Sequence, residues 1–328
     1  MSVGAGAIWE CPPFKASPRD ACRAWALASR DVFDALGQDQ GVFQRRTHYL
    51  FRADSCPADA LAPAPFSRDF RAGKPPPEVG SRFELGWSHI APIIHMPMYL
   101  PWLRAVCTTL GGTIQTTVAP LGTLADGVQA VMAEVGEPTV VVNCCGLGAA
   151  SLTDVADASV IPVRGIKVYV HAPDVRPVDV YIVEPRDAGT NFTSITPRGD
   201  TGVWACSGVA QPGATSLEVT AKEVDAIMAR CVDVLPSLRG KPITGTWAGL
   251  RPLRQAAAGG IRLEGERMGS TLVVHNYGHG GAGVVTSWGC ADDVVAFAVA
   301  EAAAQGHALR AVPAMPAGFA DVPQPRRT

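Results

Sequence analysis

Five glycines fall within the twelve residues from Gly278 to Gly289, the clearest chemical signal in the chain. The apolar segment Thr271 to Val274 precedes them and predicts a strand, and the alanine- and valine-rich segment after them predicts a helix to about Gln305. A glycine-rich turn between a strand and a helix start leaves backbone N–H groups unpaired and not covered by Cβ atoms. The turn is therefore a candidate platform for a flat or anionic group, although a tight turn that only connects core elements has a similar pattern.

The residues of this turn, His-Asn-Tyr-Gly-His-Gly-Gly-Ala-Gly at 275–283, closely resemble the flavin-contacting motif of the D-amino-acid oxidase and D-aspartate oxidase family. Other segments resemble further parts of that family, in the family's order. They are Ala5 to Trp9, an early flavin-contacting turn; Val141 to Ala149, a strand and turn under the cofactor; Pro162 to Gly165, the entry to the substrate domain; and Gly249 to Arg254 with Ile261 to Glu264, the substrate-arginine segment.

The resemblance implies an FAD-dependent enzyme that oxidises a D-amino acid to a 2-oxo acid, with release of ammonia and hydrogen peroxide. A hydride leaves Cα for the flavin, so the protein must mainly position the substrate. Arg251 is expected to bind the substrate carboxylate, and the backbone C=O of Gly281 to accept a hydrogen bond from the ammonium group. A salt bridge is the alternative role for any single arginine, and Arg254 is interpreted in that way. His275 and His279 are interpreted as structural, since this chemistry needs no side-chain base.

The cofactor is expected to lie mainly against backbone. The resemblance places residues 280–285 against the flavin ring, with the positive end of the following helix near the charge of the reduced flavin. Cys145 stands where the family often has a threonine, and loss of that hydroxyl could remove a hydrogen bond worth on the order of 1 kcal/mol. The resemblance assigns cofactor contacts to Gly6, Ala7, Ile8, Val118, Cys144, Cys145, Gly146, Gly280, Gly281, Gly283, Val284 and Val285.

Two departures from the family pattern bear on activity. The segment from Gly189 to Pro197 contains no tyrosine, whereas the family usually has two there, one on the substrate carboxylate and one as a lid. Ser194 keeps a hydroxyl but is shorter, so a water molecule, a differently seated substrate or a loss of activity is expected. The strand, G-x-G-x-x-G turn and helix that bind the ADP half of FAD, roughly 40 residues, are also absent. Gly4 to Trp9 does not replace them, because no strand precedes it and a tryptophan stands in place of the third glycine.

These departures leave two hypotheses from different classes. The first is an FAD-dependent D-amino-acid oxidase of which this chain is an N-terminally shortened version that binds FAD weakly. The second is a non-catalytic relative that keeps the fold and has lost FAD binding. Loss of a central strand would uncover the backbone groups of its neighbours, which favours the first hypothesis. A flavin amine oxidase acting on glycine or sarcosine is a less favoured alternative within the enzyme class.

The composition argues against several other classes. The chain has 328 residues, of which 47% are hydrophobic, and its net charge of −2 gives no electrostatic footprint for nucleic acid. It shows no apolar run of the ~18 residues that a membrane span needs, no secretory signal and no Ser-Lys-Leu peroxisomal address. Nine scattered cysteines predict free thiols, with Cys144 and Cys145 buried. We therefore expect a cytoplasmic protein without a metal site or a nucleic-acid or membrane partner. Its expected partners are a D-amino acid, O2 and, in a homodimer, a second copy.

The pattern along the chain predicts α/β ends around a β-rich middle. Thr139 to Cys144 is a continuous apolar run, typical of a parallel strand covered on both faces, whereas Ile166 to His171 and Val178 to Glu184 alternate as antiparallel strands do. The predicted fold is α/β: a split, N-terminally incomplete FAD-binding Rossmann-like domain with an inserted α+β substrate domain on a mostly antiparallel sheet. The FAD-binding domain is expected at 1–36, 103–165 and 246–310, the substrate domain at 37–102 and 166–245, and a C-terminal tail at 311–328.

Overall fold

A computed structural model describes residues 2–10, 17–52, 66–116, 122–136, 140–183 and 191–306. The helices are α1 (Arg19–Ala35), α2 (Met96–Thr109), α3 (Leu124–Val135), α4 (Ala221–Val234) and α5 (Ser287–Ala304). The strands are β1 (Val42–Phe51), β2 (Arg68–Gly73), β3 (Leu85–Ile94), β4 (Val140–Asn143), β5 (Val160–His171), β6 (Val180–Val183), β7 (Thr193–Pro197), β8 (Val203–Ser207), β9 (Gln211–Pro212), β10 (Ile243–Arg254), β11 (Arg262–Met268) and β12 (Thr271–Tyr277). No helix in these ranges is long and apolar enough to cross a membrane.

The chain divides into two compact units, each made of three separate segments. The first unit comprises Met1–Cys11, Gly37–Leu100 and Val163–Leu250. The second comprises Pro12–Leu36, Pro101–Pro162 and Arg251–Thr328. The expected tail at 311–328 lies outside the described residues.

The large sheet has the strand order β10-β5-β8-β7-β6-β1-β3-β2, with β9 paired to β5. Of the pairs whose register is described, all are antiparallel except β1 and β6, which run parallel, so the predicted mostly antiparallel sheet is confirmed. Alternate residues of a strand point to opposite faces. One face carries the apolar residues Val168, Ile195 and Cys206, which form a core with Ile227 and Cys231 of α4.

A smaller sheet in the second unit has the order β11-β12-β4, in which β12 and β4 are parallel. Helices α1 and α5 pack closely in the same unit. A Cβ on Gly289 would lie 2.3 Å from Cα of Trp25, so only glycine permits this approach. The indole Nε1 of Trp25 donates to Oδ2 of Asp293 at 2.7 Å and links the two helices further.

The prediction for β4 was right in its pairing and wrong in its burial. The strand is parallel to β12, but Val142 is 43% exposed, and Cys144 and Cys145 are exposed rather than buried. β4 also lies at the end of the order β11-β12-β4, and no described strand pairs with its second edge. An apolar run predicts a strand that can be buried on both faces, but it does not show which elements pack against those faces.

Candidate active site

The glycine-rich turn leads from β12 to α5, as the sequence predicts. Gly278 and Gly280 have positive φ, +87° and +55°. A Cβ on Gly278 would lie 2.5 Å from Cβ of Arg254, and one on Gly280 would lie 2.8 Å from Cδ1 of Leu253. Both glycines are thus required by the backbone conformation and by the close approach of the end of β10.

Many backbone donors of this turn are already used inside the protein. Gly280 N–H donates to the carbonyl of Pro252 at 2.7 Å, and Ala282 N–H donates to the carbonyl of His279 at 2.9 Å. At the start of α5, Trp288 and Gly289 both donate to Oγ of Ser29 at 3.1 Å. The expected free N–H groups at the helix start are therefore occupied, because α1 supplies an acceptor there. Among the described hydrogen bonds, none uses the N–H groups of Gly281, Gly283, Val284 and Val285.

Gly281 is the most open position of the turn. It is exposed, and a Cβ built on it would meet only Cδ of Arg251, at 3.8 Å. Arg251 lies near the C-terminal end of β10. Desolvation by burial lowers the pKa of its guanidinium from the usual range. A guanidinium nevertheless stays charged at any working pH. The structure thus places the side chain of Arg251 next to an exposed glycine that carries no side chain of its own.

A second turn, after β4, borders the same segment. Asn143, at the end of β4, pairs in register with His275 of β12, and its Nδ2 lies 3.1 Å from Nδ1 of His275. The Oδ1 of Asn143 accepts from the N–H of Cys145 at 3.2 Å and from its thiol. A Cβ on Gly146, whose φ is +57°, would lie 3.4 Å from Cγ of Pro252. The segments around Cys145, Arg251 and Gly280 are therefore brought together within the second unit.

Asn143 and His275 hold this arrangement, although Asn143 is not among the site residues predicted from sequence. Both side chains are buried, and Nε2 of His275 lies 3.0 Å from Oε2 of Glu266. Burial lowers the pKa of His275, so its ring is neutral near neutral pH and can exchange one hydrogen bond on each side. The signal in the sequence was two polar residues within adjacent apolar strands, which becomes meaningful only once the register is known.

His279 lies in the glycine turn, and its ring packs against α5. Burial lowers its pKa to about 4, and its Nε2 lies 3.5 Å from Sγ of Cys290 on α5. Its carbonyl accepts from Ala282, and a Cβ on Gly283 would touch its Cβ at 3.4 Å. A neutral imidazole packed behind the turn brings no charge to it.

Arg254 is held by several hydrogen bonds within the second unit. Its Nε donates to Oδ2 of Asp157 at 2.7 Å, and the hydroxyl of Tyr277 donates to the same oxygen at 2.9 Å. Its guanidinium also donates to the carbonyls of Ala258 and Gly260. Arg254 thus joins β10, β12 and two loops through its Nε and Nη1 atoms.

The early turn at Gly6, Ala7 and Ile8 belongs to the first unit. Ala7 has φ of 45°, its carbonyl accepts from Ile94 N–H at 3.0 Å, and Ile8 forms a β-bridge with Ile93. A Cβ on Gly6 would lie 3.2 Å from Nζ of Lys167. The turn is therefore fixed on the C-terminal part of β3 by backbone contacts, with a cationic side chain reaching it.

Ser194 lies on β7 in the same unit and faces the side of the sheet that carries this turn. It pairs with Ile182, which pairs with Tyr49, and directly paired residues share a face. Tyr49 and Ile182 belong to an apolar cluster that packs against Ile8. The hydroxyl of Ser194 is buried and lies 3.3 Å from Oγ1 of Thr196. Val118, also a predicted cofactor contact, lies outside the described residues.

The second unit fits a bound flavin at the two turns. The exposed thiols of Cys144 and Cys145 lie at the turn after β4, and neither is bonded to another cysteine. The space over Gly281 is space that a side chain would fill, and the unused N–H groups of the turn are donors suited to a polar ring edge. The donor set and the glycines are therefore compatible with the expected cofactor.

Comparisons with known proteins agree with this geometry. The family model described as FAD dependent oxidoreductase (DAO) matches residues 5–297. The chain is 34% identical over 300 residues to a D-amino-acid oxidase from Streptomyces coelicolor, covering 90% of this chain and 85% of that protein. It is 34% identical over 304 residues to a D-amino-acid oxidase from Rubrobacter xylanophilus, covering 90% and 84%.

Solved structures show the same fold at lower sequence identity. Glycine oxidase from Geobacillus kaustophilus has a TM-score of 0.74 at 16% identity, covering 91% of this chain and 84% of that one. L-alpha-glycerophosphate oxidase from Mycoplasma pneumoniae, with FAD bound, has a TM-score of 0.70 at 15% identity, covering 91% and 85%. The family match across most of the chain, with relatives above 30% identity, makes FAD the cofactor: the chain belongs to the DAO family of FAD-dependent oxidoreductases.

Proposed function

We propose that the protein oxidises D-amino acids with O2 and water to 2-oxo acids, ammonia and hydrogen peroxide. The observation that carries this proposal is the proximity of Arg251 to Gly281, since a Cβ built on the glycine would lie 3.8 Å from Cδ of the arginine. A guanidinium binds a carboxylate, and a backbone carbonyl accepts from an ammonium group, so the pair matches the two charged groups that every amino acid carries. The D-amino-acid oxidases among the relatives support the D configuration.

Positioning is the main task of the residues in this proposal. FAD supplies the chemistry by accepting a hydride from Cα and passing the two electrons to O2. Arg251 binds the carboxylate of the substrate and the carbonyl of Gly281 binds its ammonium group. Together they fix the direction of the Cα–H bond. The substrate ammonium loses a proton to solvent, and water then hydrolyses the imino acid. His279 is neutral and packed against Cys290, consistent with a reaction that uses no side-chain base.

The test compares D- and L-alanine, glycine and a flavin-reduction control. The FAD-loaded protein should produce hydrogen peroxide from D-alanine and not from L-alanine, and D-alanine should bleach the flavin absorbance when O2 is removed. Arg251→Leu should raise KM for D-alanine about tenfold or more, because a bidentate charged pair is worth ~2 kcal/mol. Arg251→Lys keeps the positive charge but cannot form two parallel hydrogen bonds to a carboxylate. Its KM for D-alanine should lie between those of the wild type and Arg251→Leu. Bound flavin that no D-amino acid reduces would favour the non-catalytic relative, and a preference for glycine would favour a glycine oxidase. Assembly as a homodimer remains a prediction.

A further inference from the structure

A cavity of about 260 Å³ lies in the first unit, between the loop that joins β5 to β6 and the hairpin of β7 and β8. We call it the hairpin cavity. The N–H of Ala172 donates to the carbonyl of Gly202 at 2.8 Å, and Nε1 of Trp204 donates to the carbonyl of Ala172 at 3.1 Å. A Cβ on Gly202, whose φ is +71°, would lie 2.8 Å from Cβ of Pro173. Backbone contacts therefore hold the loop and the hairpin against each other around this space.

Arg176 supplies a positive charge to the hairpin cavity. Its Nη1 donates to the carbonyls of Pro173 at 2.7 Å and Val175 at 2.8 Å, which fixes the guanidinium in the loop. Among the described residues, no hydrogen bond uses its Nε or Nη2. The acidic residue two positions away, Asp174, is paired with Lys241. Since a guanidinium carries five N–H donors in a planar fork, Arg176 keeps donors for a planar anion.

The hairpin contributes backbone donors to the second wall of the cavity. Gly199, Asp200 and Gly202 line it, and none of the described hydrogen bonds uses their N–H groups. The carboxylate of Asp200 belongs to the same wall, but it is paired with Arg45. Backbone N–H groups of a turn attract anions, so the donors of both walls favour an anionic ligand over a cationic one.

The rest of the lining is mostly apolar. Val178, Pro197 and Trp204 line the hairpin cavity together with Ala172 and Pro173. Pockets for small molecules combine apolar walls with a few polar groups that fix the orientation, and they measure about 300–1,000 Å³ for drug-sized ligands. The hairpin cavity, at about 260 Å³, lies just below that range. It therefore suits a smaller molecule with one charged end and a short apolar body.

We propose that the hairpin cavity binds a small carboxylate with a short apolar chain. The carboxylate accepts from Arg176 and from N–H groups of the hairpin, and the chain packs against Val178 and Pro197. Every lining residue belongs to the first unit, whereas Arg251 and Gly281 belong to the second. The site is therefore additional to the proposed substrate site, and it does not depend on the proposed oxidation.

The test is calorimetric titration of the FAD-loaded protein with butyrate, acetate and butylamine. Butyrate should bind, acetate should bind about tenfold more weakly because it lacks two buried CH₂ groups, and butylamine should not bind. Arg176→Met should raise the Kd for butyrate about tenfold or more, since charged hydrogen bonds are lost. No binding of butyrate by the wild type, or equal affinity for butyrate and butylamine, would overturn the proposal.

Butyrate is also a ligand for the proposed substrate site, so the titrations are repeated in the Arg251→Leu background. Butyrate binding should persist there and should weaken about tenfold or more when Arg176→Met is added. Arg239→Met, which removes an exposed arginine of the same unit, should leave the Kd unchanged. Binding that disappears in Arg251→Leu alone would assign butyrate to the substrate site and refute the hairpin cavity. These outcomes are the same whether or not the protein oxidises a D-amino acid.

A second measurement locates the bound ligand. In protein labelled with 15N-glycine, the amide signals of Gly199 and Gly202 should shift on addition of butyrate. The signal of Gly213, an exposed glycine of the same unit outside the cavity, should not shift. The shifts should be absent in Arg176→Met at the same butyrate concentration. Unchanged signals of Gly199 and Gly202 at saturating butyrate would overturn the proposal even where calorimetry detects binding.

Discussion

Gly280 and Gly281 lie next to each other in the glycine turn but differ in what an added side chain would meet. A Cβ on Gly281 would touch only Cδ of Arg251, at an ordinary contact distance of 3.8 Å. A Cβ on Gly280 would come within 2.8 Å of Cδ1 of Leu253, in a residue whose φ is +55°. Gly281→Val should therefore act on whatever binds over the turn, whereas Gly280→Ala should act on the turn itself.

The expected magnitudes separate the two effects. Because Gly281 is exposed, Gly281→Val should change the free energy of unfolding of the flavin-free protein by no more than about 0.5 kcal/mol. Gly280→Ala combines a left-handed backbone, ~1–2 kcal/mol, with overpacking, ~1–3 kcal/mol, and should lose at least ~2 kcal/mol. The affinity for FAD should fall about tenfold or more in Gly281→Val, because the isopropyl group occupies the space over the turn.

Two measurements on the same samples distinguish an effect on FAD binding from an effect on stability. Urea unfolding of the flavin-free variants gives the free energies of unfolding, and a fluorescence titration gives the Kd for FAD. We expect Gly281→Val to be stable and poor in FAD binding, and Gly280→Ala to be unstable. A wild-type Kd in Gly281→Val would refute the platform, and a stability loss equal to that of Gly280→Ala would show that the space over Gly281 is not open.

Other expected outcomes follow from single contacts. Arg254→Met should lower the free energy of unfolding, measured in urea, by about 2 kcal/mol or more, because Asp157 loses an ion pair of 2.7 Å in a largely buried setting; an unchanged value would contradict the structural role. Asn143→Leu should lower the same quantity by ~1–3 kcal/mol and weaken FAD binding, because the N–H of Cys145 loses its acceptor; wild-type values for both would remove Asn143 from the arrangement. Stability should fall as the pH drops from 6.5 towards 4, since the pKa of His279 is about 4 in the fold and the unfolded chain takes up the proton first. His279→Asn should reduce this loss of unfolding free energy by up to about 3 kcal/mol, as measured by urea unfolding at a series of pH values. An equal dependence of the unfolding free energy on pH in the variant and the wild type would contradict the lowered pKa of His279.

Sequence patterns within a short segment predicted the helices and strands. The hydrogen bonds and burial of those elements depend on contacts with residues far away in sequence. The β12–turn–α5 passage follows from hydrophobic pattern and glycines that are close in sequence, and the structure has both elements there. The hydrogen bond made by the backbone N–H of Trp288 at the start of α5 could not be predicted, because its acceptor is Ser29, 259 residues away in sequence. The exposure of Val142 was missed for the same reason, since burial depends on what packs against the strand.

The site residues differ in the same way. Arg251 and Gly281 could be named from sequence because each lies in a segment with a distinct family pattern. Asn143 could not, because in sequence it is one polar residue at the end of an apolar run. Only the register of β4 and β12 places it beside His275, where its side chain also accepts from the N–H of Cys145 and so fixes the turn after β4.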